Sequence, residues 1–211
     1  MLMKKILVTG ASGFIGQSLC ETLSKSGRSV LGAVRNLNSI LINKNIKYIS
    51  VGDIAIKKNW KDLLVDVDGI IHCAGRAHKM NDYKNFDTYQ LTNLNGTKYL
   101  AEQAVEAGVK RLVFLSSVKV NGESTNQITK QKFSYKDMSN PKDLYARSKL
   151  EAEKALWEIS LRTGLEVVVV RLPLVYGYGA KGNLARLIKL VKSGIPLPLS
   201  LVKNKRSMIG V

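Results

Sequence analysis

Val8-Thr9-Gly10-Ala11-Ser12-Gly13-Phe14-Ile15-Gly16 is a short apolar run that breaks into three regularly spaced glycines and then opens a helix. The run from Lys4 to Thr9 reads as a strand, and Ile15, Leu19 and Leu23 are spaced as one face of a helix that Gly27 stops. A glycine at 10 permits the tight turn, one at 13 lets the backbone approach a pyrophosphate, and one at 16 lets helix and strand pack closely. The turn Gly10, Ser12, Gly13, Phe14, Ile15 and Gly16 is therefore expected to hold the diphosphate of a dinucleotide at a helix N-terminus.

Working outward, strands are expected at Ser29 to Arg35, Lys47 to Val51, Gly69 to Cys73, Arg111 to Ser116 and Glu166 to Arg171. Helices are expected at residues 87 to 107 and at Leu144 to Arg162, closed by Gly108 and Gly164. The strands are nearly uniformly apolar, as when helices cover both faces of a sheet. The fold class is α/β, a Rossmann-type doubly wound parallel sheet. Residues 119 to 143 are polar and read as a surface loop. After Arg171 come Pro173, Gly177, Gly179 and Gly182, a short helix from Leu184 to Val191, and a basic stretch. The division is residues 1–172 as the dinucleotide-binding domain with the catalytic residues, and 173–211 as the start of a truncated C-terminal substrate lobe.

Lys and Arg number 33 against 16 Asp and Glu, a net charge of +17 that favours anionic partners. The basic residues are scattered and few aromatics interleave, so no nucleic-acid partner is expected. Two cysteines, Cys20 and Cys73, and two histidines, His72 and His78, give neither a disulfide framework nor a metal site. Met1 to Gly10 holds too few apolar residues for a signal peptide and Val167 to Val170 is too short to span a bilayer, so a cytoplasmic chain with no membrane span is expected.

The second strand ends Val34-Arg35-Asn36, with no acid to take ribose hydroxyls. Arg35 either clamps a 2′-phosphate, favouring NADP(H) with NAD as the alternative, or is a solvated surface arginine. Asp53 either accepts from an adenine amino group or caps the following segment. Tyr145 and Lys149 are four residues apart on one helix face. A neighbouring ammonium favours the phenolate and lowers the phenol pKa, fitting Tyr145 to acid–base work in an alcohol–ketone interconversion. Ser116-Ser117 closes the fifth strand, where a hydroxyl can orient the reacting oxygen.

With these stretches, Gly52-Asp53, Ile71-His72-Cys73-Ala74-Gly75, Asn93-Leu94-Asn95-Gly96-Thr97, Ser116 to Gly122 and Pro173-Leu174-Val175-Tyr176-Gly177, the chain resembles the extended short-chain dehydrogenase/reductases, in the NAD-dependent epimerase/dehydratase group. The resemblance implies Ser117, Tyr145 and Lys149 as the catalytic triad. It puts Asp53, Ile54, Ala74, Gly75, Asn93 and Pro173 at cofactor contacts beside Tyr145 and Lys149, and Ser117, Asn183 and Arg206 at the sugar nucleotide. His72 to Met80 and Lys192 to Ile209 are similar to bacterial enzymes of surface-polysaccharide synthesis, such as O-antigen biosynthesis. Three departures stand out. Sugar 4,6-dehydratases of this family carry Asp-Glu where this chain has Val118-Lys119, which argues against water elimination. Many epimerases have Tyr in place of Asn121 and an acid near Val34. Family members are longer, so a truncated copy or fragment is expected.

Two activities share these residues: reduction of a 4-keto sugar by NADPH, which Arg35 slightly favours, and 4-epimerisation of a UDP-hexose (UDP-glucose or UDP-GlcNAc) through bound NAD. The substrate class is a UDP- or dTDP-sugar. A third reading, from another class, is a non-catalytic dinucleotide-binding protein. By resemblance, the helices at 87–107 and 144–162 form the contact of a homodimer.

Overall fold

The computed structural model describes residues 4–39, 45–77, 86–125, 132–180, 183–194 and 205–211; His78, Lys79, Met80 and residues 195–204 of the stretches above lie outside them. Two compact units are present, Met1–Arg171 and Leu172–Val211.

The first unit is built on strands β1 (Lys5–Thr9), β2 (Ser29–Val34), β3 (Lys47–Ser50), β4 (Gly69–His72), β5 (Arg111–Ser117) and β6 (Glu166–Leu172), in the order β3-β2-β1-β4-β5-β6. β1 is parallel to β2, with Val8 opposite Gly32, and to β4, with Thr9 opposite His72. The strand order reverses between β1 and β4, and ligands of such sheets bind in the crevice beyond the strand C-termini at that point. This is the Rossmann-type sheet.

Alternation along β1 explains the apolar runs. Ile6 and Val8 pack with Val30, Val34 and Cys20 of helix α1 (Phe14–Lys25), whereas Leu7 packs with Leu31, Ile70, Leu112 and the opposite helical layer. That layer is α3 (Gly96–Glu106), through Leu100 and Ala104, and α4 (Leu144–Thr163), through Ala152, Leu156 and Ile159. Gly164 closes α4 at φ 76°, a left-handed cap that a side chain resists.

The helix expected at 87–107 is interrupted. A short α2 (Phe86–Tyr89) runs into a π-helical segment, Gln90–Asn95, before α3 begins. The Thr97 hydroxyl donates to the Asn93 carbonyl at 2.7 Å, a side-chain bond that competes with a regular ladder. The loop expected at 119–143 is not all surface: Val120 and Asn121 are buried. In the second unit, β7 (Leu174–Tyr176) pairs in parallel with β8 (Met208–Gly210), and α5 (Asn183–Lys192) carries Arg186, Lys189 and Lys192. Among the described residues no helix is long and apolar enough to cross a membrane.

Candidate active site

The glycine turn sits at the C-terminal end of β1. Gly10 has φ 66°, and a Cβ there would lie 2.8 Å from the Ala74 nitrogen; a Cβ on Gly16 would lie 2.2 Å from the Gly10 carbonyl oxygen. Both close approaches need glycine. Gly13 donates its N–H to the Gly10 carbonyl at 2.8 Å and starts α1 with no side-chain cap and no acid in the first turn. The first-turn N–H groups, flanked by half-buried Ser12, Phe14 and Ile15, are thus left to an outside anion. This donor set fits the diphosphate of a dinucleotide.

Arg35 is exposed just past the end of β2. An Asp53 carboxylate oxygen accepts from the Ala55 N–H at 2.9 Å, a local turn bond with no helix directly after it, and the Ile54 carbonyl oxygen lies 2.7 Å from where a Gly96 Cβ would stand. Ala74 donates its N–H to Thr9 Oγ1 at 3.2 Å. A Cβ on Gly75 would lie 3.0 Å from Asn93 Oδ1 and 3.3 Å from Lys149 Nζ, so Gly75, Asn93 and Lys149 meet at one point. Asn93 is fixed there: Oδ1 accepts from the Arg76 N–H at 2.7 Å, while Nδ2 donates to the Arg76 carbonyl at 3.1 Å and to Ser148 Oγ at 2.9 Å.

Asp143 caps α4, accepting from the Ala146 N–H at 2.7 Å, and pairs with Lys119 Nζ at 2.6 Å. Lys119, the departure noted after Ser117, therefore braces the start of the helix that carries Tyr145. Ser117 acts on the Tyr145 phenol from the end of β5, and Tyr89 meets the same ring edge-on with centroids 6.4 Å apart. Burial pushes the phenol pKa up, Ser117 pulls it back, and Asp143 and Tyr89 add smaller upward pushes. The expected lowering by Lys149 is not what acts on it. The Lys149 ammonium donates instead to the Leu115 carbonyl at 2.9 Å and lies 4.4 Å from the Phe114 ring centroid. Burial brings Lys149 down to about 8, opposed by Cys73 and Glu153.

The first unit thus brings together the glycine turn, Ala74, Gly75, Asn93, Ser117, Tyr145 and Lys149. Pro173, Asn183 and Arg206 belong to the second unit: Pro173 lies between β6 and β7, Asn183 opens α5, and Arg206 is exposed before β8.

Sequence reasoning missed three supports. Asp143 directly precedes the helix, the position where a capping acid belongs. Glu153 lies four residues beyond Lys149 and is paired with Arg171 at 2.6 Å; Arg171 Nη1 also donates to Asn121 Oδ1 at 3.1 Å. That contact explains the asparagine at 121. The third is His72, buried between Thr9 and Thr97. Cys73 is held unreactive, since burial pushes its thiol up to about 12.

Burial, with the Lys149 charge adding to it, brings His72 from 6.5 down to about 3. The unfolded chain therefore takes up this proton below about pH 6.5 while the folded chain does not until about pH 3. Stability present above pH 6.5 is expected to fall as pH drops through that window, by up to ~1.4 kcal/mol per pH unit from this group. Lys149 is protonated in both states throughout it and adds no slope. Urea denaturation at stepped pH, wild type against His72→Phe, isolates the contribution: the variant lacks that part of the slope.

The pattern of the NAD dependent epimerase/dehydratase family matches residues 6–207. A UDP-glucose 4-epimerase of Vibrio cholerae is 41% identical over 213 residues, covering 99% of this chain and 63% of that protein. Among solved structures, MoeE5 in complex with UDP-glucuronic acid and NAD superposes with a TM-score of 0.82 at 30% identity, over 98% of this chain and 68% of that one. The UDP-glucuronic acid 4-epimerase of Bacillus cereus, in complex with UDP-glucuronic acid and NAD, gives 0.83 at 26% identity, over 98% and 69%. The chain spans 63% of the length of the Vibrio relative. Both of these structures hold NAD, and the NADP(H) preference that Arg35 suggested finds no support in them. On the glycine turn, the six-stranded sheet and a family pattern that runs nearly its whole length, the chain is a member of the NAD dependent epimerase/dehydratase family.

Proposed function

We propose that the protein is the nucleotide-binding and catalytic part of an NAD-dependent UDP-hexose 4-epimerase. The observation that carries this is the convergence of Gly75, Asn93 and Lys149 at one point, with Tyr145 one turn before Lys149 on α4 and Ser117 acting on its phenol. It leads from a proton-moving phenol to residues suited to a nicotinamide ribose. The 41% identity to a UDP-glucose 4-epimerase supports the reaction, and the two UDP-sugar complexes support the nucleotide. When bound, NAD supplies reversible hydride acceptance at the sugar C4. Tyr145 Oη takes the proton from the sugar O4 and later returns it. Ser117 Oγ holds that oxygen against the phenol and favours the phenolate. Lys149 Nζ keeps a positive charge beside Gly75. The absence of Asp-Glu at Val118-Lys119 leaves no acid–base pair for 4,6-dehydration.

Asn183 and Arg206 are assigned to the diphosphate of the UDP-sugar and Pro173 to the cofactor, as the family resemblance implies. The same resemblance assigns the protein to surface-polysaccharide synthesis. Trp157 and Leu161, exposed on α4, support a homodimer through that helix.

Incubation with UDP-glucose and NAD tests the reading. The expected result is UDP-galactose without net nicotinamide reduction. Turnover of a 4-keto sugar with NADPH would install the reductase instead, and NAD binding with neither turnover would leave a dinucleotide-binding module. Arg35 separates the cofactors: its guanidinium is the candidate partner for a 2′-phosphate. Arg35→Ala is expected to weaken NADP binding about tenfold and leave NAD within about twofold, by calorimetry.

A further inference from the structure

His72 lies at the end of β4 directly opposite Thr9, the residue that precedes the glycine turn. Its Nδ1 is 2.6 Å from Thr9 Oγ1 and its Nε2 is 2.9 Å from Thr97 Oγ1. All three side chains are buried. The proton positions follow from what each hydroxyl already does. Thr97 spends its proton on the Asn93 carbonyl at 2.7 Å, and a carbonyl only accepts. Thr97 Oγ1 therefore accepts from His72, and Nε2 carries the ring proton. Nδ1 is then bare and takes the Thr9 proton. Thr9 Oγ1 in turn accepts from the Ala74 N–H at 3.2 Å.

The result is one directed chain from the Ala74 N–H through Thr9, His72 and Thr97 to the Asn93 carbonyl. Both ends are residues of the candidate dinucleotide site. Its neighbourhood has no slack: a Cβ on Gly10 would meet the Ala74 nitrogen at 2.8 Å, and one on Gly75 would meet Asn93 Oδ1 at 3.0 Å. The Asn93 amide extends the tie to Ser148 on α4, whose hydroxyl donates to the Tyr145 carbonyl at 2.8 Å. The Phe114 ring, stacked on His72 at 5.8 Å between centroids, also takes the Lys149 ammonium. A buried histidine with a different tautomer would set two donors or two acceptors face to face and open this spacing.

We propose that His72, as a neutral imidazole protonated at Nε2, is a positioning residue for the dinucleotide. It fixes the distance between the glycine turn, the Ala74–Gly75 segment and Asn93. The proposal rests on the NAD reading above and adds to it the element that sets the site's width.

The test combines nitrogen NMR of His72 with NAD titrations of variants that keep shape and remove one hydroxyl. The wild type should show a protonated Nε2 and an unprotonated Nδ1. Thr9→Val, folded at the temperature of measurement, should bind NAD roughly tenfold more weakly. Thr9→Ser, which restores the hydroxyl, should return within about twofold of wild type. Thr97→Val serves as the second variant should Thr9→Val not fold, with the same expected loss. A merely structural histidine would lower the melting temperature of these variants without moving the NAD affinity of the folded chain. That result, or a proton on Nδ1, overturns the proposal while wild-type NAD binding leaves the functional reading standing. Absence of NAD binding by the wild type would instead overturn the functional reading, and this proposal with it.

Discussion

Tyr145→Phe is expected to reduce epimerase turnover by about 10²- to 10⁴-fold, the usual share of a positioned acid–base group. The substitution removes one oxygen and keeps a ring that packs edge-on against Tyr89. Fold and NAD affinity should therefore stay near wild type, and the loss should appear in kcat rather than KM. The phenol is the group to remove because everything around it bears on its proton. Burial favours the neutral form, and Ser117 favours the charged one. A variant that kept its turnover would place the proton transfer elsewhere.

Glu153→Ala is expected to destabilise the protein by ~3–5 kcal/mol, the cost of breaking a buried ion pair from one side. Glu153 is buried and takes Arg171 through both carboxylate oxygens, with Nε at 3.1 and 3.2 Å and Nη2 at 2.6 Å. It also accepts the Ser116 hydroxyl. Removing the carboxylate strands a guanidinium whose remaining partners are neutral: Asn121 Oδ1, and Ser139 Oγ at 3.3 Å. Because this cluster joins α4 to β5 and β6 behind Lys149 and Ser117, activity should fall alongside stability. Glu153→Gln keeps an acceptor and should lose less. Urea denaturation midpoints of the three proteins check the order.

The sheet was legible because β1, β2 and β4 are buried on both faces and so read as unbroken apolar runs. The glycine turn was legible because its spacing serves two close approaches that only glycine allows. The π-helical break at Gln90–Asn95 was not, since apolar spacing there still suits a helix and the break depends on Asn93 and Thr97 meeting other elements. β7 and β8 are three residues each and pair across more than thirty residues, which leaves no local period to read. The order of Ser117, Tyr145 and Lys149 along the chain was visible, but the direction of the Lys149 ammonium was not: only the fold shows the Leu115 carbonyl and Phe114 ring that hold it. Arg35 illustrates the opposite failure. A cation without an acid beside it invites a 2′-phosphate on physical grounds, yet the related solved structures hold NAD. Glu153 and Arg171 are 18 positions apart, and no spacing rule joins a helix to the next strand.

Calorimetric titration of the purified 211-residue chain with NAD, beside NADP, tests the central claim most directly. Saturable one-to-one binding of NAD, tighter than NADP and abolished by Gly13→Val in a folded chain, is the predicted result. No binding by the folded wild type, or clear preference for NADP, would contradict an NAD-dependent epimerase.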